Sequence, residues 1–220
     1  MKAMSFDQIK VDTEALAALQ TMNVMSALAA DKNFMDHFYL SGYEGLCVSL
    51  GHEELTRSII STAVPMEGEL LVVGGDDHCA LWRNVCSSLR IRVSAIDIDT
   101  EDVAAATETL LKVNPRITHV LCSTNSDALT IKSLTTLAHR MGKAVIVDCS
   151  AENMDMAEIE GSGVDFAISA AEGTEPVSVI VARRSRLVMT EGNARRREHD
   201  IYAAWQESLA CRTPKMKPMA

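Results

Sequence analysis

Residues 117–148, ITHVLCSTNSDALTIKSLTTLAHRMGKAVIVD, decide the fold class of this chain. The stretch begins and ends with apolar runs, and between them lies a segment with helical spacing that stops at Gly142. The two apolar runs do not alternate with polar residues, which is typical of strands covered by helices on both faces. The stretch therefore predicts a strand, a helix and a second strand parallel to the first.

The same alternation of strand and helix continues on both sides of this stretch. It predicts a three-layer α/β/α fold around a mainly parallel, seven-stranded sheet with right-handed crossovers. The predicted strands comprise residues 45–50, 69–73, 91–97, 117–123, 144–148, 165–169 and 177–182. The short loop at residues 170–176 predicts that the last two strands are antiparallel.

Helices are predicted over residues 52–64, 101–113, 131–141, 155–160 and 198–209, and one more ends near residue 89. Thr100 is predicted to cap the helix that follows it, because a hydroxyl can accept a hydrogen bond from the first turn. The chain divides into three regions. Residues 1–40 are predicted to be a helical arm that docks on a partner surface, residues 41–190 form the α/β body, and residues 191–220 form a C-terminal helix and tail.

Composition excludes several classes of function. The chain has 220 residues, 47% of them hydrophobic, and a net charge of -9, which argues against a nucleic-acid partner. Because no apolar run approaches the about 20 residues that span a bilayer and no signal peptide is evident, we expect a cytoplasmic protein without a membrane partner. The six cysteines have no C-x-x-C spacing, so neither a zinc site nor a disulfide framework is predicted.

Candidate site residues are those at the carboxyl ends of the strands, where open parallel sheets bind ligands. The polar positions there are Gly51 and His52, residues 74–78, residues 123–127, Asp148 and Cys149, and residues 169–173. Asp148 ends the buried run AVIVD and could hold a cationic group or a metal. A role as a helix cap or turn residue is equally open.

Several stretches together carry a resemblance to a known family. They are SGYEGLCVSL at 41–50, VPMEGELLVVGG at 64–75, residues 114–169, and EHDIYAAWQES at 198–208 with CRTP after it. They resemble the large domain of class V, fold type I, pyridoxal-phosphate-dependent aminotransferases, and most of all the 2-aminoethylphosphonate–pyruvate transaminases. The resemblance covers residues 41–214. It implies pyridoxal phosphate as cofactor, pairing of large domains in a homodimer, and a small domain that is missing here.

The resemblance implies roles for four of the candidate positions. Asp148 matches the aspartate that pairs with the pyridine nitrogen of the cofactor and keeps the ring protonated. Gly173 stands where the family has the lysine that forms the Schiff base, and glycine has no amine. Gly51 and His52 stand in the turn that binds the cofactor phosphate, and the neighbouring residues 53–54, both glutamates, are expected to place negative charge there.

Two further candidates follow from the same resemblance. His78 matches an aromatic residue that stacks on the cofactor ring, and Ser123 begins a stretch that replaces a threonine-rich substrate loop. Less favoured alternatives for these residues are a metal site at residues 76–78 and a hydrolase built from Cys149, His78 and Asp148.

These observations predict a degenerate aminotransferase-fold protein that has lost transaminase activity. It would act as a dimeric binding or scaffolding protein, with a small-molecule ligand in the old cleft or an active paralogue as partner. The alternative is a working pyridoxal-phosphate-dependent transaminase or lyase for 2-aminoethylphosphonate or a small amino acid. Such an enzyme would hold its cofactor non-covalently or take a lysine from a partner chain.

Overall fold

The computed structural model describes residues 27–28, 42–48, 50–123, 128–150, 156–171, 177–196 and 199–212. The strands are β1 (Ala27–Leu28), β2 (Tyr43–Val48), β3 (Glu69–Gly74), β4 (Val93–Asp97), β5 (Ile117–Ser123), β6 (Ala144–Asp148), β7 (Phe166–Ala171) and β8 (Val177–Arg183). The helices are α1 (His52–Ala63), α2 (Asp76–Ser88), α3 (Val103–Val113), α4 (Ala128–Arg140), α5 (Met156–Ser162), α6 (Arg184–Val188) and α7 (Ile201–Arg212).

These strands form one sheet in the order β1-β2-β8-β7-β6-β5-β3-β4. The pairs within β7-β6-β5-β3-β4 are parallel, and β8 is antiparallel to both of its neighbours. The predicted mainly parallel sheet of seven strands is therefore confirmed, as is the antiparallel return from β7 to β8. The two-residue β1 adds an eighth strand, and the antiparallel pairing of β2 with β8 was not predicted.

The sheet has an apolar cluster on each of its faces, which accounts for strands without alternation. In β3, Leu71 and Val73 belong to one cluster, whereas Leu70 and Val72 belong to the other. The first cluster is covered by residues of α3, α4 and α5, and the second by residues of α1, α2, α6 and α7. The sheet and the helices on its two faces make up the three predicted layers.

The helix ends follow local rules, with one correction. Gly142 has a φ of 71° after α4, which is the left-handed turn predicted for a helix stop. The cap of α3 is Asp102, whose carboxylate accepts the N–H of Ala105 at 2.9 Å. The prediction of Thr100 as the cap is wrong because the helix begins two residues later than expected.

The C-terminal helix α7 is docked on α1 through buried polar groups. Ser58 on α1 lies 3.1 Å from Nδ1 of His199, and the hydroxyl of Thr62 donates to the carbonyl of His199 at 2.8 Å. The helix predicted at residues 198–209 begins at Ile201.

No helix in the described part of the chain is both long and apolar enough to span a bilayer.

The N-terminal arm falls largely outside the described residues. Its two described residues, Ala27 and Leu28, are extended and pair with Val48 and Cys47 of β2. The prediction of a helical arm is therefore wrong at these two residues, because the edge of β2 offers backbone partners that a helix could not use.

Candidate functional site

The carboxyl ends of three neighbouring strands lie together, as the parallel sheet requires. Ser123 and Asp148 are aligned in register, and a Cβ atom added to Gly74 would lie 3.8 Å from that of Ser123. Because side chains alternate along each strand, all three positions face the side of the sheet that α1 and α2 cover. Three of the positions singled out in the sequence therefore converge on one edge and one face.

The start of α1 reaches the same edge of the sheet. Since β8 is antiparallel to both β2 and β7, β2 runs in the same direction as β6 and ends at the same side. The buried hydroxyl of Ser178 on β8 donates to the carbonyl of Leu50 at 2.5 Å. This contact holds the chain just before Gly51, the N-cap of α1, so that His52 begins the helix beside the strand ends.

His52 and Asp148 form the central contact of the site. Nε2 of His52 lies 2.8 Å from Oδ2 of Asp148, and the other carboxylate oxygen accepts the N–H of Ser150 at 3.0 Å. The Asp148 side chain is fully buried, whereas that of His52 is 30% exposed. Two residues that are 96 positions apart, and that were predicted separately, therefore bind each other.

Both pKa values of this pair are shifted toward the charged forms. The hydrogen bond to Asp148 raises the pKa of His52, although burial opposes the shift. Burial alone would raise the pKa of Asp148, but the hydrogen bonds from His52 and Ser150 and the charge of His52 outweigh it and hold that pKa below its usual value. An imidazolium and a carboxylate at this distance make a charge-assisted hydrogen bond.

The glutamates at the start of α1 do not enter the site. Glu53 and Glu54 are exposed, and Oε1 of Glu53 accepts a hydrogen bond from Nη2 of Arg57 at 2.7 Å. Successive helical residues point about 100° apart, so the glutamates face outward where His52 faces the sheet edge. The prediction that these carboxylates place negative charge in the phosphate turn is wrong, and the side chain that reaches the sheet edge from this turn is the imidazole of His52.

Cys149 cannot serve as a nucleophile in this arrangement. Its side chain is fully buried, its N–H donates to the carbonyl of Ile168 at 2.7 Å, and burial raises the pKa of its thiol far above the ordinary value. Since the thiolate is the reactive form, the hydrolase alternative loses its nucleophile.

His78 belongs to α2, but the side chains of residues 76–78 lie outside what the structure describes, so its stacking role and the metal alternative stay predictions. Within the described residues, no group of three His, Cys, Asp or Glu side chains could hold a metal ion.

The position predicted for the Schiff-base lysine, Gly173, lies outside the described residues. The last lysine before it in the chain is Lys143, whose Nζ donates to the carbonyl of Pro115 at 3.0 Å. Lys143 precedes β6 and Asp148 ends it, so the two are separated by about 16 Å of extended strand. Lys132 is exposed and lines a groove between α3 and α4. Neither amine is directed to Asp148.

Comparison with known proteins identifies relatives of this chain. It is 29% identical over 165 residues to 2-aminoethylphosphonate–pyruvate transaminase 2 of Burkholderia lata, which covers 68% of this chain and 43% of the relative. It is 30% identical over 164 residues to the 2-aminoethylphosphonate–pyruvate transaminase of Bacteroides fragilis, covering 68% of this chain and 44% of the relative. The chain thus spans less than half the length of these relatives.

Solved structures share the architecture. The ureidoglycine–glyoxylate aminotransferase of Bacillus subtilis matches with a TM-score of 0.64 at 9% identity, over 79% of this chain and 49% of that protein. At this identity the likeness concerns the fold alone. No protein-family model matches the chain.

Proposed function

Given that this chain is a homologue of the class V, fold type I, pyridoxal-phosphate-dependent aminotransferases, we propose that it has lost their transaminase chemistry. It would act instead as a dimeric binding or scaffolding protein. The observation that carries the proposal is the 2.8 Å contact of Nε2 of His52 with Oδ2 of Asp148, the carboxylate that the resemblance assigns to the cofactor ring.

Pyridoxal phosphate does not fit the residues present. When bound, this cofactor acts as an electron sink, and it is normally held through a lysine amine and a carboxylate at the ring nitrogen. Residues 144–214 contain no lysine. Oδ1 of Asp148 accepts the N–H of Ser150 and Oδ2 lies 2.8 Å from Nε2 of His52, so a pyridine nitrogen would compete with His52 for this carboxylate.

The cost of that displacement is sizeable. A hydrogen bond to a charged group contributes about 1.5–3 kcal/mol net, and each 1.4 kcal/mol changes a binding constant about tenfold. Displacing His52 would therefore weaken cofactor binding by about 10-fold to 100-fold compared with a free carboxylate. The missing lysine removes a covalent bond in addition, and together the two changes act against the same chemistry.

We also propose that the chain pairs with a second copy of itself or with an active paralogue. Large apolar side chains are exposed at Met66, Val113, Val188 and Met189, of which Met66 is 74% exposed. Burial of such side chains in an interface is favourable by about 25 cal/mol for each Å² of apolar surface. Light scattering should give the mass of two chains, and a monomer at high protein concentration would contradict the pairing.

A second candidate function is a working transaminase or lyase for 2-aminoethylphosphonate or a small amino acid. The retained, buried Asp148 at the end of β6 favours it, as do the names of the relatives. Such an enzyme would hold the cofactor non-covalently or borrow a lysine from a partner chain. The cofactor ring would then share the Asp148 carboxylate with His52 or replace it there.

A transamination assay separates the two functions. Purified protein is mixed with pyridoxal phosphate, 2-aminoethylphosphonate and pyruvate, and alanine formation is measured beside the Asp148→Asn variant. We expect no alanine from either protein and no shift of the cofactor absorbance. Turnover by the natural sequence that is lost in Asp148→Asn would contradict the proposed loss of activity and support the second candidate.

A further inference from the structure

We propose that the groove between α3 and α4 is the surface through which two copies of this chain pair. The twofold axis of the pair runs along the groove, so that α3 of each copy lies over α4 of the other. This inference rests on the proposed pairing of the chain with a second copy of itself, and it names the surface that makes the contact.

The groove is formed by two neighbouring helices on one face of the sheet. Because α3 connects β4 to β5 and α4 connects β5 to β6, and these strands are parallel, the two helices run in the same direction. The groove has a volume of about 610 Å³, and exposed residues that line it include Ala104, Ala105 and Ser133. Side chains of this size allow helices of a second copy to approach closely.

The two walls of the groove carry opposite charges. Asp102 and Glu108 line it from α3, whereas Lys132 and Arg140 line it from α4. Nη2 of Arg140 lies 3.5 Å from Oε1 of Glu108, so these two residues are level with each other. Asp102 and Lys132 lie six and eight residues earlier, which places them about 9 and 12 Å closer to the helix starts. Within the described part of the chain, no ion pair includes Asp102 or Lys132.

This pattern of charges is complementary to itself. A twofold axis along the groove places Glu108 over Arg140 of the second copy, while its own Arg140 remains beside it. Charges at this level then alternate in sign around a square, and Asp102 and Lys132 form a second level of the same kind. A twofold axis across the groove would instead place α3 on α3 and α4 on α4, which opposes like charges at Lys132 and Arg140. A surface that matches its own copy is the property of a twofold dimer interface.

The contact is small, so its charges should strongly affect the affinity. The helices α3 and α4 have 11 and 13 residues. Two such pairs of helices bury less than about 1,200 Å² in total, which is the range of weak or transient interfaces. Exposed ion pairs add little to affinity, but like charges that face each other across an interface weaken it strongly.

Charge reversal at Glu108 and Arg140 tests the inference. Glu108→Lys makes both walls basic at this level, and Arg140→Glu makes both walls acidic, so neither variant should pair with itself. We expect the dissociation constant of each self-pair, measured by sedimentation velocity, to rise at least about 100-fold above that of the natural sequence. An equimolar mixture of the two variants should pair again, because basic walls then meet acidic ones.

Two further variants serve as controls. The double variant Glu108→Lys with Arg140→Glu exchanges the two charges, and it should pair as the natural sequence does. Glu191→Lys changes the net charge by the same amount as Glu108→Lys, but at an exposed residue that is not part of the groove, and it should also pair normally.

The inference is overturned if either single variant pairs as tightly as the natural sequence, or if the mixture or the double variant stays monomeric. A dimer that is insensitive to both reversals leaves the proposed pairing in place through another surface. A natural sequence that is monomeric at high protein concentration overturns the inference together with that pairing, and the loss of transaminase activity is still decided by the transamination assay.

Discussion

Two buried aspartates, each bonded to a histidine, lie at opposite ends and on opposite faces of the sheet. The pair of His52 and Asp148 lies at the carboxyl ends of the parallel strands, and that of His139 and Asp165 at the amino end of β7. The distances and exposures are the same in the two pairs, but Arg186 also binds Asp165. The additional arginine indicates that Asp165 contributes more to the stability of the fold than Asp148 does.

Asp165 connects several elements at once. Its donors belong to α4, β6 and α6, and its own carbonyl accepts the N–H of Arg183 at 2.8 Å. Arg183 in turn donates to the carbonyls of Gly163 and Val164. A buried polar network with such connections is rigid and stabilising as long as each member is satisfied. At the other end of the sheet, the contact of His52 with Asp148 joins α1 to β6.

The largest expected effect comes from breaking the network at Asp165. The variant Asp165→Ala should lower the free energy of unfolding by about 3–5 kcal/mol, because it leaves Arg186 and a backbone N–H without their buried acceptor. Urea denaturation measures the loss. Asp102→Ala, which removes an exposed helix cap worth about 1 kcal/mol, is the control. A loss at Asp165 no greater than that of the control would contradict its structural role.

The pair at the other end should matter less to stability. His52→Ala is expected to lower the free energy of unfolding by about 2–3 kcal/mol near pH 6, since it removes the hydrogen bond of the imidazole to a buried carboxylate. A double-mutant cycle with Asp148→Asn measures the coupling between the two side chains. Strictly additive effects of the single variants would show that the contact does not contribute.

The stability due to this pair should depend on pH in a defined window. Because the pKa of His52 is raised on folding, its contribution is complete below about 6.5 and is lost as the pH rises through the folded value. Because the pKa of Asp148 is lowered, its contribution is present above about 3.9 and is lost as the pH falls through the folded value. The stability difference between the natural sequence and Asp148→Asn should therefore be greatest between these limits. A difference that stays constant from about pH 5 to about pH 9 would be inconsistent with a titrating partner.

The smallest effect is expected at the exposed pair beside the site. Glu53→Gln should change the free energy of unfolding by less than about 0.5 kcal/mol, because its bond to Arg57 lies in solvent. A loss above about 1 kcal/mol would mean that Glu53 takes part in the site after all.

Much of the fold could be predicted from local patterns. Apolar runs without alternation placed the seven main strands, and the alternation of side chains along β3, β5 and β6 explains why Gly74, Ser123 and Asp148 share a face. The contact between His52 and Asp148 could not be predicted in this way. It depends on β2 joining the sheet beyond β8, and nothing local in either segment specifies that order.

The orientation at the start of α1 was within reach of sequence reasoning. Because α1 packs its apolar face on the sheet, the 100° step between successive helical residues sets the direction of each side chain, and Arg57 lies four residues after Glu53 as its ion-pair partner. The spacing alone thus indicates that the glutamates point away from the strand ends. The two-residue strand β1 has no such signal, because strands this short carry no periodicity.

We propose that the site around Asp148 does not anchor pyridoxal phosphate, and reductive trapping tests this most directly. The protein is incubated with the cofactor, treated with borohydride and mapped by peptide mass spectrometry, beside Asp148→Asn. The account predicts only scattered, low-level labelling of lysines that is equal in the two proteins. Labelling of one lysine in every chain of the natural sequence, reduced in Asp148→Asn, would contradict it.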